Sequence, residues 1–134
     1  MKQGLALVFA ALLAAPAVGA PRTVVSGLTH RPERLGQCFL TRVKRVETRL
    51  EDNGKSIVGS GSAIELADGH YNVDYEQLPG IDRSRRGDLA RLCVIALPGR
   101  CPAGDTRGLF YRGENLRTGL SWKAHDAEHM CGGA

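Results

Sequence analysis

Aromatic residues are scarce in this chain: one Trp, three Phe and three Tyr among 134 residues. So few rings make a modest hydrophobic core, and a small domain of this kind needs covalent staples. Phe9 lies in an N-terminal apolar run and does not contribute to that core. No Cys-x-x-Cys pair occurs, which argues against a thioredoxin-like redox motif and a zinc ribbon. Also missing are the Gly-x-Ser-x-Gly nucleophile elbow, the His-Glu-x-x-His zinc-protease motif, and the phosphate-loop and dinucleotide fingerprints. No Asn-x-Ser/Thr triplet offers a glycosylation acceptor, and there is no internal repeat or low-complexity tract.

Long apolar runs are equally rare, and the one present is instructive. Lys2 precedes the unbroken stretch Leu5 to Ala15, and small residues follow. Positive start, apolar middle and small-residue exit describe a secretory signal peptide over residues 1–19. Its 11 apolar residues fall well short of the roughly 20 that cross a bilayer as a helix. Ala17 and Gly19 are the expected cleavage points. A cut after Ala20 would put Pro21 at the new terminus, where its ring fits a peptidase subsite poorly. The mature chain is expected to carry no transmembrane segment. Residues 20–35, polar and with two prolines, are expected to form a loosely held arm, and residues 36–134 a single domain.

Four cysteines remain after the leader: Cys38, Cys93, Cys101 and Cys131. An even count in a short exported chain reads as two disulfides. A hairpin at Pro98-Gly99 would set Cys101 against Ala96, which makes a Cys93–Cys101 bridge geometrically awkward. The preferred pairing is Cys38–Cys93 with Cys101–Cys131. Charge is mildly positive, +4 for the whole chain, and loss of Lys2 lowers it by one. That balance favours anionic surfaces, but specific nucleic-acid binding is not expected.

The remaining pattern is β. Residues 39–50 fit a helical stripe, yet their β-branched residues and the following Asn53-Gly54 turn favour a strand, with a bulge near Lys44-Arg45. A two-residue turn at Asn53-Gly54 sets Leu50 opposite Ile57. A second, at Asp68-Gly69, would pair Leu66 with Tyr71, Ile64 with Val73 and Ser62 with Tyr75, leaving Glu65, Asn72 and Asp74 on the other face. Gln77 to Asp88 reads as a loop. Leu89 to Leu97 reads as a central strand covered on both faces, and Leu109 to Arg117 and Leu120 to Ala124 as a last pair. The expected fold is all-β and mainly antiparallel, a small barrel or sandwich stapled by two disulfides.

Three sets of residues carry candidate chemistry. His125 and His129, four apart, would share a face if the segment made a helical turn, and with Glu128 or Asp126 they could hold a divalent metal or serve acid–base work. No other cofactor is expected. Arg83, Arg85 and Arg86 form the sharpest basic cluster and are the candidate anion-binding residues. Arg86-Gly87-Asp88 spells a cell-adhesion tripeptide, which here reads as the corner before a strand. Gly59-Ser60-Gly61-Ser62 reads as a flexible run, and Tyr71, Tyr75, Tyr111 and Trp122 as core rather than groove.

Several segments resemble a family of small exported proteins of Gram-negative bacteria. They are Gly59 to Ile64, Arg86-Gly87-Asp88, Cys101 to Gly108, Asn115 to Thr118 and the ending Cys131-Gly132-Gly133-Ala134. The resemblance implies a periplasmic or secreted address and no functional residues. With no catalytic motif, the expected role is a non-enzymatic binding or inhibitor-type module whose partner is a protein or other envelope component. The alternative is a small metal-dependent or hydrolytic secreted enzyme using the C-terminal histidines.

Overall fold

Gly87 donates its N–H to Val43 O (2.8 Å) and Val43 returns one to Asp88 O (2.9 Å), fastening a distant loop onto the first strand. Contacts of this kind close the sheet, seen in a computed structural model that describes residues 33–133. The expected leader at 1–19 and residues 20–32 of the expected arm lie outside the described residues. Of the arm's last residues, Glu33 is bonded to the domain through His70 and Tyr111.

The strands are β1 (Cys38–Thr48), β2 (Glu51–Asp52), β3 (Lys55–Ser56), β4 (Ser62–Leu66), β5 (Tyr71–Asp74), β6 (Leu89–Ala96), β7 (Phe110–Asn115) and β8 (Ser121–His125). A one-turn helix, α1 (Pro79–Asp82), precedes β6. Six strands close into an antiparallel barrel in the order β1-β4-β5-β8-β7-β6, and β2-β3 forms a separate hairpin. The connection after β5 returns β6 to lie beside β1, a Greek key. Closure leaves the barrel without an exposed edge.

The expected all-β fold is found, and so are both disulfides, Cys38–Cys93 and Cys101–Cys131. Residues 38–48 are strand, and the register slips between Val43 and Arg45, where the bulge was expected. Asn53 (φ 49°) and Gly54 (φ 74°) both take the left-handed conformation of a primed turn. Ile57 accordingly donates to Leu50 O at 3.0 Å.

Four expectations are corrected. At Asp68-Gly69 the turn contains three residues, because Leu66 pairs with His70 (N to O 2.8 Å) and Gly69 adopts φ 95°. Ile64 therefore faces Asn72, and Glu65 faces Tyr71. A one-residue slip reverses the faces. Asn72 is buried inside, accepting the Trp122 indole N–H at 2.9 Å and donating to Tyr71 O, while Tyr71 turns outward. Second, β6 is covered on one face only: Ala90, Leu92 and Val94 are buried and Arg91 is exposed. Third, the loop from Gln77 contains α1, with Pro79 in its first turn and Ile81 fully buried in the core. Burying Ile81 is worth about 2–3 kcal/mol. Fourth, the Gly59–Ser62 run is fastened: Ser60 accepts from Arg49 Nε (2.7 Å) and Leu50 N (3.1 Å), and Ser62 Oγ donates to Asp82 at 2.5 Å.

Val43, Ile64, Leu66, Ala90, Leu92, Val94, Tyr111, Trp122 and Ala124 fill the barrel. Among the described residues, no helix is long and apolar enough to cross a membrane. Together with the two disulfides, that is compatible with an extracellular or periplasmic protein.

Candidate anion-binding site

Alternation along β1 should send Lys44 out and Arg45 in. The bulge adds a residue, so Lys44 and Arg45 both stay exposed while Val46 turns back to pack against the core. Two consecutive cations thus share the outer wall. Glu65, the register partner of Arg45 on β4, accepts from Lys44 Nζ at 2.6 Å and lies 3.6 Å from Arg45 Nε. The Lys44 hydrogen bond lowers the Glu65 carboxyl from its usual value, against a smaller opposing effect of burial. Arg45 also pairs with Glu47.

The third cation comes from the loop. The backbone bonds between Val43 and Gly87-Asp88 set Arg86 beside Lys44, and Lys44, Arg45, Glu65 and Arg86 line one open surface hollow. Arg42 Nη1 donates to Gly87 O at 2.8 Å and adds a fourth positive charge to its rim. Among the described residues, no carboxylate comes within ion-pair distance of Arg86 or Arg42.

Asp88 is what fixes the loop. It accepts from Arg117 Nε (2.7 Å), Arg117 Nη2 (2.9 Å), Asn115 Nδ2 (2.8 Å) and the Arg85 N–H (2.8 Å). The Arg117 bonds hold its carboxyl far below the usual carboxylate range, against desolvation, with help from Asn115 and Arg85. Asn115 itself is fully buried and also donates to Ser84 Oγ at 2.7 Å. The carboxylate of the Arg86-Gly87-Asp88 tripeptide is therefore engaged internally. Arg83 and Arg85 point to solvent on the same loop, Arg83 lending its carbonyl to Arg117 Nη2.

Of the three arginines singled out in the sequence, Arg86 lines the hollow, whereas Arg83 and Arg85 are exposed on the same loop and do not line it. Lys44 and Arg45 adjoin each other in sequence, with Arg42 two residues before them, but they stand far from Arg86 in the chain, and only the fold brings the two groups to one hollow.

The C-terminal residues are dispersed. His125 ends β8 and stacks on Phe110 at 4.4 Å between centroids, its buried Nδ1 having no partner among the described residues. Residues 126–129 form bends instead of the helical turn that would align His125 with His129. Asp126 accepts the Gly108 N–H at 2.7 Å, and burial raises its carboxyl pKa. Glu128 lies 3.5 Å from Arg49. His129 is exposed. Among the described residues, no three His, Cys, Asp or Glu side chains stand at metal-holding spacing.

A cluster that the sequence did not reveal lies at the start of β5. His70 sits between Phe39 (4.4 Å) and Tyr111 (5.7 Å). Its Nε2 lies 3.0 Å from Glu33 Oε1, and Tyr111 donates to Glu33 Oε2 at 2.5 Å. Asp68 Oδ2 lies 3.0 Å from His70 Nδ1, too far off line for a hydrogen bond, and acts as a neighbouring charge. Burial first, and Glu33 second, push the Tyr111 hydroxyl pKa far up, so it stays protonated. The cluster fastens residue 33 to the barrel through His70 and Tyr111. No family model, no curated protein and no solved structure matches this chain.

Proposed function

We propose that the chain is an exported binding module of the cell envelope, periplasmic or secreted, whose hollow at Lys44, Arg45 and Arg86 receives an anionic group of its partner. The leader at residues 1–19 and the resemblance to the exported four-cysteine family support the address. The observation that carries the binding reading is the bulge in β1, which exposes Lys44 and Arg45 side by side in one hollow with Arg86, to which no carboxylate among the described residues is paired. Bulges re-aim side chains at sites, and an incoming carboxylate, phosphate or sulfate supplies the missing counter-charge. Arg86 and Arg45 present planar forks suited to two-point contacts with such groups.

The test is retention of the oxidised protein on an anionic matrix in a salt gradient, compared with Lys44→Gln/Arg45→Gln/Arg86→Gln. Earlier elution of the triple variant, with unchanged melting, is expected. Identical elution would remove the hollow as the site.

A second reading is a metal-dependent or hydrolytic enzyme at the C-terminus. It is favoured by one feature, the buried Nδ1 of His125, which has no hydrogen-bond partner among the described residues, next to the half-buried Asp126. Stoichiometric zinc in the purified protein, lost in His125→Ala/His129→Ala, would establish it over the binding reading.

A further inference from the structure

The outer wall continues beyond the hollow, and strand register decides what lies on it. On β1 Arg42 is exposed and pairs with Leu89 of β6. Two residues further along β6 is Arg91, exposed, whose partner on β7 is Glu114. Two residues back along β7 is Arg112, exposed, and directly opposite it on β8 is Lys123, also exposed. The first two steps shift one strand over and two residues along, and the third goes straight across, so side chains stay on the outer face. Diagonal neighbours of this kind lie about 7–8 Å apart and directly opposite ones about 5 Å. Arg42, Arg91, Arg112 and Lys123 therefore form one oblique line of about 20 Å across four strands.

Little on the line neutralises it. Glu114 stands 3.8 Å from Arg91 and is the one carboxylate within ion-pair range of these four cations among the described residues. Arg112 and Lys123 face each other as like charges, an arrangement that costs stability in a bare sheet. Arg91, Arg112, Cys93 and Glu114 border a shallow depression on the same face. At the other end, Arg42 is hydrogen-bonded to Gly87 O, next to Arg86, so the line runs into the hollow. The Cys38–Cys93 bridge crosses between β1 and β6 beside it and holds the two strands in register.

We infer that this oblique line is a binding track for a linear acidic polysaccharide, one end of which enters the hollow. This rests on the anion-binding reading above and adds the ligand's class. A single small anion would meet one or two of these cations, whereas a chain bearing carboxylates, phosphates or sulfates at intervals meets them in succession. Single-stranded nucleic acid is the poorer fit, because its bases need aromatic platforms. The outward neighbours of the line are Leu40, Leu89, Cys38, Cys93, Glu114 and Ser121, and the outward Phe110 is stacked on His125. A bilayer is also a poorer fit, since the cations follow the curve of a barrel and do not share one plane.

The experiment compares the oxidised wild-type protein with Arg91→Gln/Arg112→Gln/Lys123→Gln and with the hollow variant Lys44→Gln/Arg45→Gln/Arg86→Gln. The probes are long polygalacturonate, trigalacturonate and an oligothymidylate matched in charge to the long chain. Wild type should prefer the long chain to the trisaccharide. The track variant should lose that preference, roughly tenfold or more, with a shallower salt dependence and unchanged trisaccharide binding. The hollow variant should weaken both. Long-chain binding by the track variant equal to wild type overturns the track and leaves the hollow standing. Tighter binding of the oligothymidylate than of the long glycan overturns the polysaccharide assignment. Wild type that holds none of the three overturns the proposed function as well.

Discussion

Gly113 of β7 faces Trp122 of β8, and the indole occupies the space where a side chain would be. A Cβ at position 113 would fall 2.0 Å from Trp122 Cε2, so the ring would have to leave. Its N–H would then abandon Asn72, stranding two polar groups in the barrel. Gly113→Ala is therefore expected to cost about 3 kcal/mol or more, read as a lowered urea midpoint with altered tryptophan fluorescence. A wild-type midpoint would mean that the ring does not depend on this gap. Neither residue's role was legible in sequence. A glycine inside a strand signals a close approach without naming the visitor. An Asn among alternating residues reads as solvent-facing until its buried partner is known. The glycines of the turns were easier, because Asn53-Gly54 asks for positive φ locally and needs no distant residue to explain it.

At the scale of elements, the loop from Arg83 to Asp88 owes its shape to one carboxylate. Asp88 gathers Arg117, Asn115 and the Arg85 N–H, and a similar carboxylate, Asp105, gathers Arg107 and the Gly132 N–H. Both are held well below the ordinary carboxylate range, chiefly by the arginine bonded to each. A depressed folded-state value stabilises the fold above the unfolded value, near pH 4, and that contribution fades as pH falls further toward the folded one. Acidification below about pH 4 should loosen both loops before it opens the barrel, with loss of amide protection at Gly87 and Asp105, relative to the intrinsic rate at the same pH, the first sign. In Asp88→Asn, amide protection around Gly87 should already be low at pH 7 and change little on acidification. Protection at Gly87 that survives in this variant would show that the backbone bonds to Val43 suffice alone. The same element explains why the site was only partly readable. Arg86 stood out by its neighbours in sequence, but its companions Lys44 and Arg45 come from a strand far away in the chain. The bulge that exposes them was legible in β1, because its apolar residues change period at that point. The β4–β5 register was not, because a three-residue turn ending in Gly69 and a two-residue turn on Asp68-Gly69 have the same sequence signature.

For the whole molecule, the two staples should fail in different ways. Cys38–Cys93 joins β1 and β6 where backbone bonds already hold them, while Cys101–Cys131 joins two segments outside all the strands. Sequence separations of 55 and 30 residues make the bridges worth about 4 kcal/mol each in the chain-entropy model. A domain with a net stability of about 5–15 kcal/mol and a small core would survive losing one and hardly both. With Cys101→Ser/Cys131→Ser, hydrogen exchange should quicken first over residues 97–108 and 126–133. The barrel should stay protected, since none of its strand pairs uses those residues, the nearest being Val73 with His125. With Cys38→Ser/Cys93→Ser no single segment is released, because the β1–β6 ladder remains. The loss should instead appear as a lower melting temperature and evenly faster exchange through every strand. If the first pair of substitutions unfolded the barrel while the second left it intact, closure of the sheet would depend on the C-terminal tail, and the order of importance argued from the ladder would be reversed.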